Sequence, residues 1–242
     1  MTAPVLGLVK NPSPFAIPRN FLANRFVYLT VSPRARGLSV GVNFNPNKKC
    51  NFDCVYCEVD RTAAPRDEVL DVPAMTAELD ATLRLIRDGH LPEHPQFRTL
   101  PVNLLQLKHV CLSGDGEPTL SPQFLEALQS ILHLRALSRA PFLKLVLVTN
   151  SSNLDDPAVQ EGIGYFTRQD EIWAKLDAGS AEFMRRVNRT EVPLEKILSN
   201  ILLTAQKRPV IIQTLFASIE GEEPSVEEID QYASRLSALA EA

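Results

Sequence analysis

What this chain of 242 residues lacks narrows its class before any motif is read. It has four cysteines and four histidines, and no cysteine precedes Cys50. Three of the four crowd into Cys50–Cys57, so paired disulfides are not its scaffold. The histidines show no spacing that suggests a metal site. Positive charge is also short: 25 Lys and Arg face 29 Asp and Glu, for a formal net charge of −4. That argues against a dedicated nucleic-acid-binding domain, for which a basic chain is expected. No apolar run approaches the ~20 residues that span a bilayer. Met1 to Lys10 holds no charged segment followed by an apolar core, so no signal peptide is expected. A reducing cytoplasm without a membrane partner is the expected setting. Internal repeats and long linkers are absent.

What is present suits a sizeable core, with 45% hydrophobic residues. Residues 1–35 are proline-rich and lack periodicity, so they read as an irregular arm. Apolar runs and helical patterns then alternate over residues 36–242. The spacing predicts strands at Leu38–Phe44, Leu107–Ser113, Lys144–Thr149, Glu171–Asp177 and Pro209–Ala217. Helices are predicted over Ala74–Asp88, from an N-cap at Ser121, over Leu194–Gln206, and beyond the capping box Ser225-Val-Glu-Glu228. Five rounds of strand and helix imply an α/β fold, a parallel sheet with outer helical crossovers. The count suits a partial (β/α) barrel of five to six units rather than a closed eight-fold one. No sixth strand is visible before Ala242.

Cys50-Asn-Phe-Asp-Cys54-Val-Tyr-Cys57 has the spacing C-x3-C-x2-C. Three thiolates this near one another can close on one metal centre. A 4Fe–4S cluster has four irons and usually takes four cysteine thiolates, so three would leave one iron open to chemistry. The alternative is structural zinc, which needs four ligands, most often as two separated pairs. The remaining cysteine, Cys111, falls on a different predicted strand. Gly114-Asp-Gly-Glu-Pro118 closes that strand, and glycines there let backbone approach a ligand closely. Alternation along Glu171–Asp177 puts Trp173, Lys175 and Asp177 on one face and Ile172, Ala174 and Leu176 on the other. The apolar set should meet the helices. Lys175 and Asp177 should then point into the barrel at its C-terminal end, where barrel chemistry sits.

The cysteine spacing, Tyr56 before the third cysteine and the Gly116-Glu117-Pro118 turn together resemble the radical S-adenosylmethionine (SAM) superfamily. The resemblance implies a 4Fe–4S cluster on Cys50, Cys54 and Cys57, with SAM on the open iron. It implies reductive cleavage of SAM to a 5′-deoxyadenosyl radical that removes hydrogen from a substrate. It places Tyr56 beside the adenine, and Gly116, Glu117 and Pro118 at the SAM amino group. Lys175 and Asp177 become candidates for the SAM ribose and carboxylate, with Asn150 and Ser151 of the same kind. Asp115 stands where many members have a second glycine. An electron donor, flavodoxin- or ferredoxin-like, is implied as partner.

Over Ser32 to Phe216 the chain is similar to iron–sulfur oxidoreductases related to wyosine-forming tRNA enzymes. The segments Ser-Gly-Asp-Gly-Glu-Pro-Thr119, Lys-Leu-Asp-Ala178 and Arg186-Val-Asn-Arg189 carry this likeness. Those synthases take a second cluster on additional N-terminal cysteines, which this chain lacks, so one cluster is expected. The expectation is a radical SAM enzyme acting on an RNA base, a peptide or a small metabolite. A tRNA-modifying member and a non-catalytic iron–sulfur or electron-transfer module are the alternatives. Arg185, Arg186 and Arg189 read as a carboxylate or phosphate clamp or as a solvated helix face, and Arg34, Arg36, Lys48 and Lys49 read the same way. Cationic residues near the cluster are also candidates for docking the electron donor. Cys111 reads as a small buried hydrophobe, with a hydrogen-donating thiol or extra cluster ligand as its sharper alternative.

Overall fold

The computed structural model describes residues 21–32, 35–137 and 144–241. Most of the expected N-terminal arm, and Arg34, lie outside them. Six strands form one sheet in sequence order: β1 (Val27–Ser32), β2 (Gly37–Asn43), β3 (Leu107–Ser113), β4 (Leu145–Thr149), β5 (Glu171–Lys175) and β6 (Ile211–Gln213). Strands β2 to β6 run parallel, and β1 pairs antiparallel with β2 from Val27↔Val42 to Ser32↔Gly37. The crossovers are helical: α1 (Val72–Arg87), α2 (Phe124–Ala136), α3 (Pro157–Gly164), α4 (Ala181–Val187) and α5 (Leu194–Ala205); α6 (Val226–Glu241) follows β6. This is the α/β partial barrel that the alternation predicts.

Side-chain caps start α1 and α3. The Asp71 carboxylate caps α1 by accepting from Ala74 N at 3.0 Å, and Val72, Met75, Leu79 and Leu83 form its buried stripe. Asp156 caps α3 by accepting from Ala158 N and Val159 N. The convex face of the sheet packs on the helices. Val110, Leu112, Leu145, Leu147 and Ile172 join one apolar cluster, while Ala174 and Leu176 join a second under α4, α5 and α6. Ile172, Ala174 and Leu176 therefore face the helices, as their alternation requires.

Four boundaries differ from expectation. β1 lies inside the stretch read as an irregular arm; its Val-Tyr-Leu-Thr-Val alternation was overshadowed by the prolines around it. Ser121 is not the N-cap of α2. It ends the 3-10 turn Pro118–Leu120, its carbonyl accepts from Phe124 N, and the helix proper starts at Phe124. β6 keeps only three of the nine expected residues, because Leu215 N leaves the ladder to donate to Asp177 at 3.0 Å. Likewise β5 ends at Lys175.

The concave face is polar and small. Ser39 pairs with His109, Gly41 with Cys111 and Asn43 with Ser113. The Tyr28 ring lies across Gly41, where a Cβ would overlap it, and its hydroxyl meets Ser113 Oγ at 2.9 Å. A methyl group at position 41 must push the ring aside. Gly41→Ala is therefore expected to lower stability by about 1–3 kcal/mol in urea unfolding, and by less in a Tyr28→Ala background. Equal losses in both backgrounds would exclude the ring as the cause.

Buried His109 bonds Ser39 Oγ through Nε2 at 2.9 Å and packs edge-on against Trp173. Burial first, and the Lys144 ammonium second, push its pKa from 6.5 to about 4, against a weaker opposing pull from Glu171. The unfolded chain thus binds this proton more readily than the folded one. Stability contributed by neutral His109 is present above about pH 6.5 and is lost as pH falls through about 4, by about 3 kcal/mol. His109→Gln should flatten that part of the stability–pH curve; an unchanged slope between those pH values would refute the assignment.

Candidate functional site

The C-terminal strand ends converge on one loop. Beyond β2 the chain runs through Phe44–Lys49 into the cysteine triplet. Asn43 starts the arrangement: its Oδ1 accepts from Asn45 N at 3.0 Å and Asp115 N at 3.1 Å, and its Nδ2 donates to Asp115 Oδ2 at 2.8 Å. Asp115, in the place of a second glycine, thus ties the β3 turn to the end of β2. Glu117 N then donates to the Lys49 carbonyl at 3.1 Å. A Cβ on Gly116 would collide with that carbonyl, so this contact requires glycine.

Other elements clamp the loop from the far side. Asp53 N and Val55 N donate to the Asn188 and Val187 carbonyls, both at 2.9 Å. Thr190 Oγ1 donates to the Asn51 carbonyl at 2.8 Å. The Asn51 side chain meets Asn150 Nδ2 at 2.8 Å and Ser152 Oγ at 2.9 Å. Lys48 Nζ holds the following segment through the Asp60 and Ala63 carbonyls.

A cavity of about 170 Å³ opens between these loops. Cys50, Cys54, Cys57, Tyr56, Gly116, Glu117, Asn150 and Lys175 all line it, together with Arg61 and Ser113. Residues far apart in sequence are therefore brought to one wall. Pro118, Ser151 and Asp177 stand behind that wall. Ser151 is fully buried at positive φ, and its carbonyl accepts from Asn200 Nδ2 at 2.9 Å. A larger cavity of about 690 Å³ lies at the opposite strand ends, around Phe166, Thr204 and Ile211, and carries no thiol.

Glu117 is 3% exposed, yet four donors reach its carboxylate. Oε1 accepts from Thr119 N at 3.2 Å and from the Thr119 and Thr149 hydroxyls at 2.6 Å; Oε2 accepts from Asn150 N at 2.6 Å. Burial raises its pKa and the four donors oppose that rise. Asp177 is equally buried. It takes the Tyr56 hydroxyl, Asn188 Nδ2 at 2.9 Å and Leu215 N at 3.0 Å, with Lys175 Nζ 3.4 Å away. The Lys175 ammonium also lies 4.9 Å from the centroid of the Tyr56 ring. Burial and the neighbouring Asp177 carboxylate keep the Tyr56 phenol protonated, raising its pKa.

Every sulfur of the triplet receives an N–H. Cys50 Sγ accepts from Phe52 N at 3.4 Å and Asn150 Nδ2 at 3.8 Å, Cys54 Sγ from Asn188 Nδ2 at 3.3 Å, and Cys57 Sγ from Arg61 Nη2 at 3.8 Å. Such donors suit thiolates, which accept more strongly than thiols. Burial pushes the Cys50 and Cys54 thiols up, so their ionisation calls for a compensating cation. Among the described residues no three His, Cys, Asp or Glu side chains gather as ligands of a single metal ion. A cluster differs, because each thiolate takes its own iron. The donor set thus fits an iron–sulfur centre.

Several partners went unread in the sequence. Arg61 and Thr149 belong to no motif, and Asn51 lies inside the cysteine motif without a role that its spacing reveals. Asn188 had a signal: it follows Met184 by four and so shares the buried stripe of α4. The arginines around it point outward; Arg185, Arg186 and Arg189 are exposed, with Arg186 on Glu222 at 3.0 Å and Arg189 3.7 Å from Asp53. Cys111 is buried beneath the cavity without lining it, and burial pushes its thiol up to about 11.

Comparison with known proteins bears on the family and the fold. A UPF0026 protein of Helicobacter pylori is 31% identical over 188 residues, covering 74% of this chain and 52% of that protein. A UPF0026 protein of Methanocaldococcus jannaschii is 26% identical over 215 residues, covering 85% and 59%. The chain spans a little over half the length of these curated relatives. Among solved structures, TYW1 with a lysine-pyruvate adduct bound matches with TM-score 0.51 at 20% identity, covering 85% of this chain and 62% of that one. SuiB of Streptococcus suis matches with TM-score 0.54 at 14% identity, covering 86% and 39%. At these identities the structures speak for the shared fold. No helix among the described residues is long and apolar enough to cross a membrane. The model of the Radical SAM superfamily matches residues 44–233, from the strand end before the cysteines into the first half of α6, and the chain belongs to that superfamily.

Proposed function

We propose that this chain is a radical SAM enzyme in which Cys50, Cys54 and Cys57 hold a 4Fe–4S cluster. When bound there, cluster and SAM supply a 5′-deoxyadenosyl radical that abstracts hydrogen from the substrate. The observation that carries this reading is the common wall: three thiols, the Gly116–Glu117 turn, Tyr56, Asn150 and Lys175 line one cavity at the C-terminal strand ends.

The chain's own residues divide the work. Gly116 brings bare backbone to the cavity while Glu117 N pins the cysteine loop. The Glu117 carboxylate is immobilised by Thr119, Thr149 and Asn150 and presents negative charge where the SAM ammonium is expected. Pro118 starts the turn that sets this geometry. Lys175 presents a cation over Tyr56, suited to the SAM carboxylate, and Tyr56 presents a ring suited to the adenine. Asp177 and Ser151 hold Tyr56 and the β4 turn from behind. A low-potential one-electron donor of the flavodoxin or ferredoxin kind completes the reaction. Free thiols of this sort suit a reducing cytoplasm.

The test is anaerobic loading with iron and sulfide, then dithionite and SAM, with detection of 5′-deoxyadenosine. Formation of the nucleoside is expected. None formed with the cluster in place would favour an inert iron–sulfur module, and stoichiometric zinc with refusal of iron would end the cluster reading. Alanine at Cys50, Cys54 or Cys57 should abolish the brown absorbance of the loaded protein, whereas Cys111→Ala should keep it. Glu117→Ala should retain the cluster and weaken SAM binding roughly tenfold or more in titration, the scale of a lost charge-assisted hydrogen bond. It should also cost about 1–3 kcal/mol of stability by leaving Asn150 N unpaired. Unchanged SAM affinity would remove Glu117 from the site.

A further inference from the structure

Sulfur is a weak hydrogen-bond acceptor, so side-chain N–H groups seldom gather on it without consequence. Here three side chains from three separate segments each reach a different cysteine. Asn188, just after α4, places Nδ2 3.3 Å from Cys54 Sγ. Asn150, just after β4, reaches Cys50 Sγ at 3.8 Å, and Arg61, beyond the triplet, reaches Cys57 Sγ at 3.8 Å. Asn188 is the most constrained of the three. It is 2% exposed, and the same amide nitrogen donates to Asp177 Oδ2 at 2.9 Å. Asp177 is in turn held by Leu215 N at 3.0 Å, so the direction of the amide is set from outside the cysteine loop.

We propose that Asn188, assisted by Asn150 and Arg61, sets the reduction potential of the iron–sulfur centre; this rests on the cofactor reading above. One electron arrives from a low-potential carrier, and no bond or proton changes hands in that step. The reduced centre bears one more negative charge than the oxidised one, shared in part by its thiolate sulfurs. An N–H dipole aimed at a sulfur stabilises the reduced form more, and so raises the potential. The effect is largest where water is excluded and the contact is short, which singles out Asn188 on Cys54. Cys57 is exposed, and solvent weakens the contribution of Arg61 there. Asn188 is a positioning residue for the centre's electronics, and it separates the strength of reductant required from the ligand set itself.

The experiment is a mediated redox titration of the anaerobically loaded full chain, followed by the EPR signal of the reduced centre. Asn188→Leu removes the N–H at nearly constant volume. At fixed poise it should lower the reduced-to-oxidised ratio about tenfold, a fall of about 59 mV for a one-electron couple. Asn150→Leu and Arg61→Gln should lower it less. A midpoint unchanged in Asn188→Leu overturns the proposal. So does a fall of the same size in Asp177→Asn, which leaves the Cys54 donor in place. If Asn188→Leu fails to load, native protein carrying ¹⁵N in its asparagine side-chain amides gives the answer. Hyperfine coupling of that nitrogen to the reduced centre is expected, and its absence overturns the proposal. Wild-type protein that takes up no iron and sulfide would remove the cofactor reading instead, and the proposal with it.

Discussion

The carboxylate of Glu117 is the junction on which the site hangs. Its oxygens gather donors from its own turn and from the end of β4, while its backbone N–H holds the carbonyl that precedes Cys50. One residue thereby fixes the separation between two strand ends and the start of the cysteine loop. A buried carboxylate without those partners would cost several kcal/mol of lost solvation. Satisfied fourfold, it becomes a rigid link, because each donor constrains its direction.

A second buried carboxylate closes the opposite side. Asp177 gathers Tyr56 from the cysteine loop, Asn188 from the end of α4 and Leu215 N from beyond β6. The loop is thus held between two anchors beyond the ends of different strands, and its thiols meet a common cavity without any cysteine outside the triplet. The arrangement also explains why β6 is short. Its chain turns away from the ladder to satisfy Asp177, leaving Leu215 and Phe216 at the open edge of the partial barrel.

Much of this was legible in residue patterns. The run Leu107–Ser113 is β3 as read; the apolar run before Asn150 is β4 almost to the residue. The glycine-rich turn and the cysteine triplet do share a wall. Patterns failed where local signals competed. Prolines flanking Val27–Ser32 concealed an antiparallel edge strand, since its partner β2 lies across a turn that no periodicity reports. Ser121 and Pro122 mimic a helix start, but the carbonyl of Ser121 is used to close a 3-10 turn first.

The chain's covalent order alone decided the ligand chemistry: three thiols at short spacing, a glycine where backbone must touch backbone, and alternation that sends Lys175 and Asp177 to one side. These depend on nearest neighbours and on the periods of strand and helix. Tertiary structure alone decided what each polar group does once there. It turned Asp177 onto Tyr56 and Asn188 rather than into the open cavity, and it set an amide on Cys54 from 134 residues away. Buried polar groups must find partners wherever the fold brings them, and sequence separation carries no record of which strand ends will meet.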